Sequence, residues 1–234
     1  MNITRIIAAA ILAVGIAILG FCLKSGIDNF VEKDRLVTVK GLAEKEVPAN
    51  LVTWPIVSKE IGDDLPTLYA KINSTTVSIK KFLKAGGLSD EEISVNAPVV
   101  IDMSAERYGG NQSAYRYNIT SVITVTSSKV EMVRKILARQ GELLKDGIAI
   151  VSGDYENPIR YDYTGLVEIK GEMMDEAIKN ASATAQQFAS VSKSKLSRIQ
   201  SASQGQFSVE DRDANTPYIK KIRVVTTITY SLKD

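Results

Sequence analysis

Two groups of acidic side chains have types and spacing that could do chemistry. Glu44 and Glu46 stand two residues apart in VTVKGLAEKEVPANLVTWPI (37–56), which places both on one face of an extended strand. Paired carboxylates divide acid and base work only when their surroundings drive their pKa values apart. Here the neighbours are polar and nothing would desolvate either acid, so a structural role is expected. Glu210, Asp211, Asp213 and Asn215 gather in VEDRDANTP (209–217), oxygen ligands of the kind calcium takes. Their spacing is not that of an EF-hand, and a solvated turn between strands is the expectation. The chain has no histidine, which removes Ser-His-Asp and Cys-His catalysis and every histidine metal site. A single cysteine, Cys22, excludes an intramolecular disulfide and a cysteine-rich zinc site. GGN and TGLVEIKG lack the phosphate-loop pattern. No catalytic residue, metal or cofactor is therefore expected.

Binding is the remaining chemistry. SAERYGGNQSAYRYN (104–118) holds Arg107, Tyr108, Tyr115, Arg116 and Tyr117; YENPIRYDYTG (155–165) holds Tyr155, Tyr161 and Tyr163. Tyrosine and arginine are enriched at interfaces, and a Gly-Gly loop adapts to a partner. The alternative is a hairpin tip whose strand tyrosines are half-buried. Lys+Arg number 29 against Asp+Glu 27, spread along the chain, so no nucleic-acid surface is expected.

The elements that must hold these groups follow from periodicity. A helix is predicted over 64–85, capped by Asp63 or Asp64, with Pro66 in its first turn and Gly86-Gly87 at its end. A second is predicted over 129–140, opened by a capping box at Ser128–Glu131 and closed by Gly141. A third is predicted over 171–192, with a core stripe of Met174, Ala177, Ile178, Ala181, Ala185 and Phe188. Alternation predicts strands at 114–127 and 219–232, further strands at 91–103 and 195–209, and another at 145–155. Residues 36–41 and 47–61 are expected to form a first hairpin about a polar Glu44-Lys45-Glu46 turn, with Trp54 facing the core. Turns are expected at Gly109-Gly110 and near Asn215–Pro217. The fold class is α+β: a mainly antiparallel sheet with helices on one side, a main lobe, and a smaller lobe at about 104–168. The helix-strand-strand pattern of 64–127 recurs at 171–232, the mark of a duplicated half.

Residues 6–23 form an uninterrupted apolar run behind Arg5. Its length suits a membrane-spanning helix, and the positive flank keeps the N-terminus cytoplasmic. No small-x-small cleavage site follows, so an uncleaved anchor over 1–23 is expected rather than a removed signal. Phe21 before Cys22 argues against a lipoprotein. Residues 24–35 are expected to be a polar stalk, leaving 36–234 as the exported domain.

That domain resembles the SIMPL family. TVKGLAEKEVPANLVTWPI (38–56) is similar to the family's opening strand and its Pro-Asp or Ala-Asp entry into a long second strand, with Asn50 where aspartate is common. IKKFLKAGGLSDEEISV (79–95), EMMDEAIKNASATAQQFA (172–189) and SASQGQFSVEDRDANTPYIKKIRVVTTITYSL (201–232) continue the likeness, the last with a membrane-anchored bacterial subgroup. The resemblance implies an α+β domain, secreted or periplasmic, self-associating in some members and linked in some to oxidative-stress tolerance or protein–protein interaction. It carries no catalytic residues over. Two functions are therefore expected to compete. One is a non-enzymatic scaffold or stress-protective module, tethered to the inner membrane by residues 6–23 and facing the periplasm as a homo-oligomer or with a protein partner. The other is a ligand-binding or chaperone-like module with a groove between lobes. A carboxylate-only hydrolase ranks below both.

Overall fold

The computed structural model describes residues 3–31, 35–105 and 114–233. The chain divides into two compact units: Met1–Lys45 with Val167–Ser208 and Ile222–Asp234, and Glu46–Leu166 with Val209–Lys221. Residues 104–168, expected as a smaller lobe, thus fall almost wholly in the second unit together with 46–103.

The chain opens with α1 (Ile3–Val31). Within it Ala9–Ile27 has a mean hydropathy of 2.1 and no burial, so this helix is long and apolar enough to cross a membrane. A leader sequence passes the same test. The helix continues through Lys24–Val31, over most of the segment expected as a stalk.

β1 (Leu36–Pro48) is one unbroken strand, and it does not pair with β2 (Leu51–Gly62). The expected first hairpin is therefore absent. Gly41 does not end the strand, and Glu44-Lys45-Glu46 is not a turn. Val39, Gly41 and Ala43 are buried, while Lys40, Leu42, Glu44 and Glu46 face water. The glutamates are held by arginines far along the chain: Glu44 by Arg223 at 3.5 Å and Glu46 by Arg212 at 3.6 Å.

In the second unit β2 leads into α2 (Leu65–Ala85). Asp64 caps this helix by accepting from Thr67 N at 3.0 Å, Pro66 sits in its first turn, and Gly87 follows it at φ 101°. Gly86 itself is right-handed at φ −76°. β3 (Ile93–Val95) and β4 (Val99–Asp102) come next, split at Asn96-Ala97-Pro98, where proline cannot donate to a ladder. β5 (Tyr117–Ser127) pairs with β2 along its length, from Val52↔Ser127 to Gly62↔Tyr117, and with β3 and β4 on its other edge. One face of this sheet carries Trp54, Ile56, Ile123 and Val125, which pack with Ile79 and Leu83 of α2.

α3 (Val130–Ala138) adds Val130, Val133 and Ile136 to that core. Its start lacks the expected capping box. Ser127 Oγ instead accepts from Lys129 N at 3.0 Å. The box lies at Ser89–Glu92, on a single 3-10 turn (Asp90–Glu92). Gly141 opens the short α4 (Gly141–Lys145) rather than closing α3. The strand expected at 145–155 is likewise absent: α4, a turn at Gly147 (φ 77°) and one bridge, Val57↔Val151, occupy it. Its apolar residues satisfy the core without a ladder, with Ile148 and Ile150 packing from irregular backbone. β6 (Arg160–Asp162) closes the sheet against the start of β2.

Glu92 ties this unit together. Its carboxylate accepts from Ser127 Oγ at 2.6 Å, Ser89 N at 2.9 Å and Lys129 Nζ at 2.9 Å. Those bonds, Ser127's first, hold its pKa down to about 2. Because the folded value lies below the ordinary one of 4.5, the stabilisation is present above pH 4.5 and is lost as pH falls from 4.5 toward 2. About 2 kcal/mol of acid sensitivity is expected, less than the full shift because water screens a rim carboxylate. Urea midpoints between pH 2 and 7 check this: Glu92→Gln flattens that window, and an unchanged profile in the variant refutes the assignment.

α5 (Leu166–Val191) returns the chain to the first unit, starting five residues before its expected position. It buries Ala177, Ala181 and Ala185 of the expected stripe together with Ala189, and Met173 in place of Met174. Ile178 and Phe188 are exposed. β7 (Lys195–Gln204), β8 (Ser208–Asp211) and β9 (Ile219–Lys233) follow. β9 lies between β1 and β7, with Val39, Ile228 and Tyr230 packed against Ala181 and Ala185.

The two units share one topology. A strand, a helix and two more strands follow in order, and the last strand lies between the others: β3-β5-β2 under α2, and β7-β9-β1 under α5. These are split β-α-β units. The repeat read from 64–127 and 171–232 corresponds to them, once β2 and β1 are added as their first strands.

Candidate functional site

The expected interface residues come together only in part. Arg107 and Tyr108, with the Gly109-Gly110 turn, lie outside the described residues. Tyr115 and Arg116 are exposed just before β5, and Tyr117 begins that strand. Tyr155 is fully exposed on the loop before β6. Tyr161 is 8% exposed in β6, and Tyr163 is half-buried after it. Tyr117 faces Gly62 and Tyr161 faces Val52. Ten residues of strand separate those positions, about 33 Å. The two tyrosine groups therefore belong to opposite ends of β2 and cannot form one site.

At the β6 end the chemistry is structural. Tyr161 packs edge-on to Tyr218, with centroids 6.2 Å apart, and the Arg134 guanidinium lies 3.4 Å over the Tyr218 ring. Burial pushes the Tyr161 hydroxyl pKa up. Asn50 Oδ1 accepts from Thr164 N at 2.9 Å and Oγ1 at 3.2 Å, and Asn50 N donates to Asp162 O at 2.9 Å, so an amide serves at this corner without a carboxylate.

At the β4–β5 end the surface is different. Arg116 grips Asp102 through Nη2 at 2.9 Å and Nε at 3.2 Å, and its guanidinium lies 4.8 Å from the Tyr117 ring centroid. Arg116 N also donates to Asp63 at 2.8 Å. Asp102 accepts further bonds from Ser104 Oγ at 2.6 Å and N at 3.0 Å. Arg116 first, then Ser104, lowers the Asp102 pKa to about 2. This is a fixed ion pair with no proton to exchange near neutral pH. Around it Ile61, Val99, Ile101, Met103 and Tyr115 are exposed. Ile61 and Ile101 both face Asn118 across the sheet, so they form a row on the face away from α2. β4 has β5 on one side and, among the described residues, no strand on the other. Apolar side chains beside an open strand edge suit a protein partner.

The acids of 209–217 do local work. Asp213 accepts from Thr216 N and Asn215 N, both at 2.9 Å, and pairs with Arg212 at 3.1 Å. Asp211 pairs with Lys220. The turn expected near Asn215–Pro217 is therefore built by a carboxylate. Of the β4–β5 group, the sequence pointed to Tyr115, Arg116 and Tyr117. Asp102, Ile61, Val99 and Ile101 went unmarked, because VVID reads as any half-buried strand until its uncovered neighbours are known.

No curated protein matches the chain. A family model does, over residues 37–230, spanning both sheets and the helices between them. Its description is SIMPL, protein of unknown function (DUF541), and the chain belongs to that family.

Proposed function

We propose that this protein is a non-enzymatic module of the bacterial cell envelope, tethered to the inner membrane by α1 and facing the periplasm. Its SIMPL domain self-associates and acts as a scaffold or stress-protective interaction module. The observation that carries this reading is the apolar β4–β5 surface around the Arg116–Asp102 pair. The pair orients the strand ends and satisfies its own charges, so partner binding there desolvates mainly carbon. The apolar, exposed α1 supports the tether.

Light scattering coupled to size exclusion, on the full chain in detergent over a range of concentrations, tests it. A discrete oligomer is expected. Ile101→Asp, at a surface position that leaves the core untouched, is expected to weaken association about tenfold or more. A monomer at every concentration would overturn the reading and favour the ligand-binding module. The place for a ligand is then a cleft of about 420 Å³ within the second unit, lined by Leu137, Ala138, Gln140, Gly141, Leu144 and Ile150.

A further inference from the structure

One end of the first unit carries apolar side chains that stand in solvent. Phe188 and Val191, a turn apart at the end of α5, are 57% and 80% exposed, and Leu36 at the start of β1 is 49% exposed. Backbone and side-chain bonds bring the end of α5, the start of β1 and the paired ends of β7 and β9 to the same rim. Leu232 N donates to Arg35 O at 2.8 Å, Lys195 pairs with Lys233 in the sheet, and Arg35 Nη2 donates to Ser194 Oγ at 3.1 Å. Between α5 and β7, Lys193 adopts φ 56° while Ser194 N donates to Ala189 O at 2.9 Å. That left-handed cap position ordinarily takes glycine. A lysine there accepts backbone strain and adds a cation to the rim. Arg35, Lys193, Lys195 and Lys233 thus belong to this rim, with Leu36 on the sheet face opposite α5, in the exposed row of Thr38 and Lys40, and Phe188 and Val191 on α5 itself. In the sequence Glu32, Lys33, Asp34 and Asp234 flank this group, so five cations stand against three acids.

The same rim is where the chain arrives from α1. Five residues from Val31 to Leu36 span at most about 18 Å when extended. Helical rise from Ile27 to Val31 adds about 6 Å. With α1 across a bilayer, the rim stays within about 24 Å of the hydrocarbon, and the headgroup layer fills about 5–7 Å of that. A tether this short holds the rim at high effective concentration beside the lipid, so even a weak contact is populated.

We propose that this rim, built from Leu36, Phe188, Val191 and the surrounding lysines, docks on the lipid headgroup layer and fixes how the first unit stands on the membrane. The inference rests on α1 being a retained anchor. Aromatic and aliphatic side chains enter the interface while lysines reach phosphates, the arrangement of interfacial anchors. Docking requires the apolar side chains in either lipid, and the excess of cations over acids strengthens it when anionic lipid is present.

The test uses the full chain in phosphatidylcholine vesicles, with and without phosphatidylglycerol, in a Cys22→Ser background. Single cysteines at Leu12, Val191 and Gln204 carry spin labels, and collisions with oxygen and with a water-soluble nickel chelate are compared. Gln204 lies about 30 Å further along β7 and serves as the aqueous reference. The label in Val191→Cys is expected to meet the chelate several-fold less often than the one in Gln204→Cys, and Phe188→Asp is expected to remove that difference with far-ultraviolet circular dichroism unchanged. If Leu12→Cys reports lipid while Val191→Cys and Gln204→Cys report equal chelate access, the docking proposal fails and the anchor stands. If Leu12→Cys itself is open to the chelate, the anchor reading fails and the docking proposal with it.

Discussion

Gly41→Ala is expected to cost the first unit about 3 kcal/mol or more, the upper range for forcing an atom into a packed interior. A Cβ at Gly41 would lie 1.9 Å from Ala177 O and 2.5 Å from Ala181 N. These are backbone atoms of α5, so no side chain can swing aside; the helix itself must lift off the sheet. The alanine row of α5 exists for the same reason, since a close helix leaves room for methyl groups only. Gly171→Ala supplies the control. It lies in the same helix, its added Cβ meets nothing within 4 Å, and it is expected to stabilise by about 0.5–1 kcal/mol. Hydrogen exchange read by mass spectrometry along 222–232 checks both. Unchanged protection in Gly41→Ala would show that the contact between β1 and α5 is looser than described.

In the second unit the largest loss is expected at Trp54. Its side chain is fully buried among Ile56, Ile123 and Val125 in the β2–β5 core, and its indole N–H donates to Ser152 Oγ at 2.6 Å. Trp54→Ala leaves a large cavity and is expected to cost about 3–5 kcal/mol. Trp54→Phe keeps most of the apolar contact but strands the Ser152 hydroxyl, and is expected to cost about 1–2 kcal/mol. Urea unfolding followed by circular dichroism separates the two. An alanine variant within 1 kcal/mol of wild type would mean that the core collapses around the gap.

The contrast between those residues shows what was legible in the sequence. Trp54, α2 and the alternating β5 and β9 were readable because the information is local: Asp64, Pro66 and Gly87 bound α2, and period-two alternation marks a half-buried strand. The continuity of β1 was not, because Glu44-Lys45-Glu46 has the composition of a turn. What keeps it extended is Arg223, Arg212 and the β9 ladder, all brought in from far along the chain. The alanines of the α5 row that faces the sheet were legible, but its methionine was missed by one position. Met173 and Met174 are equally apolar, and only the approach to Gly41 decides between them. The candidate site was half visible for a similar reason. Arg116 and Tyr117 announce themselves by type, whereas Asp102 matters only because a hairpin returns it to Arg116.

The central position of β9 also sets an order of events during synthesis. Thr38 of β1 meets Thr229 of β9 across 191 residues of chain. While the ribosome is still making the segment between them, β1 has no strand to pair with. The second unit gathers β2 through β6 within Leu51–Asp162, so most of its sheet is available long before β9 emerges. The first unit can close only when the last strand slides between β1 and β7, a long-range step of the kind that slows folding. A chain threaded through a membrane as it is made would therefore cross with its first sheet still open, and β1 would be the segment in most need of a chaperone.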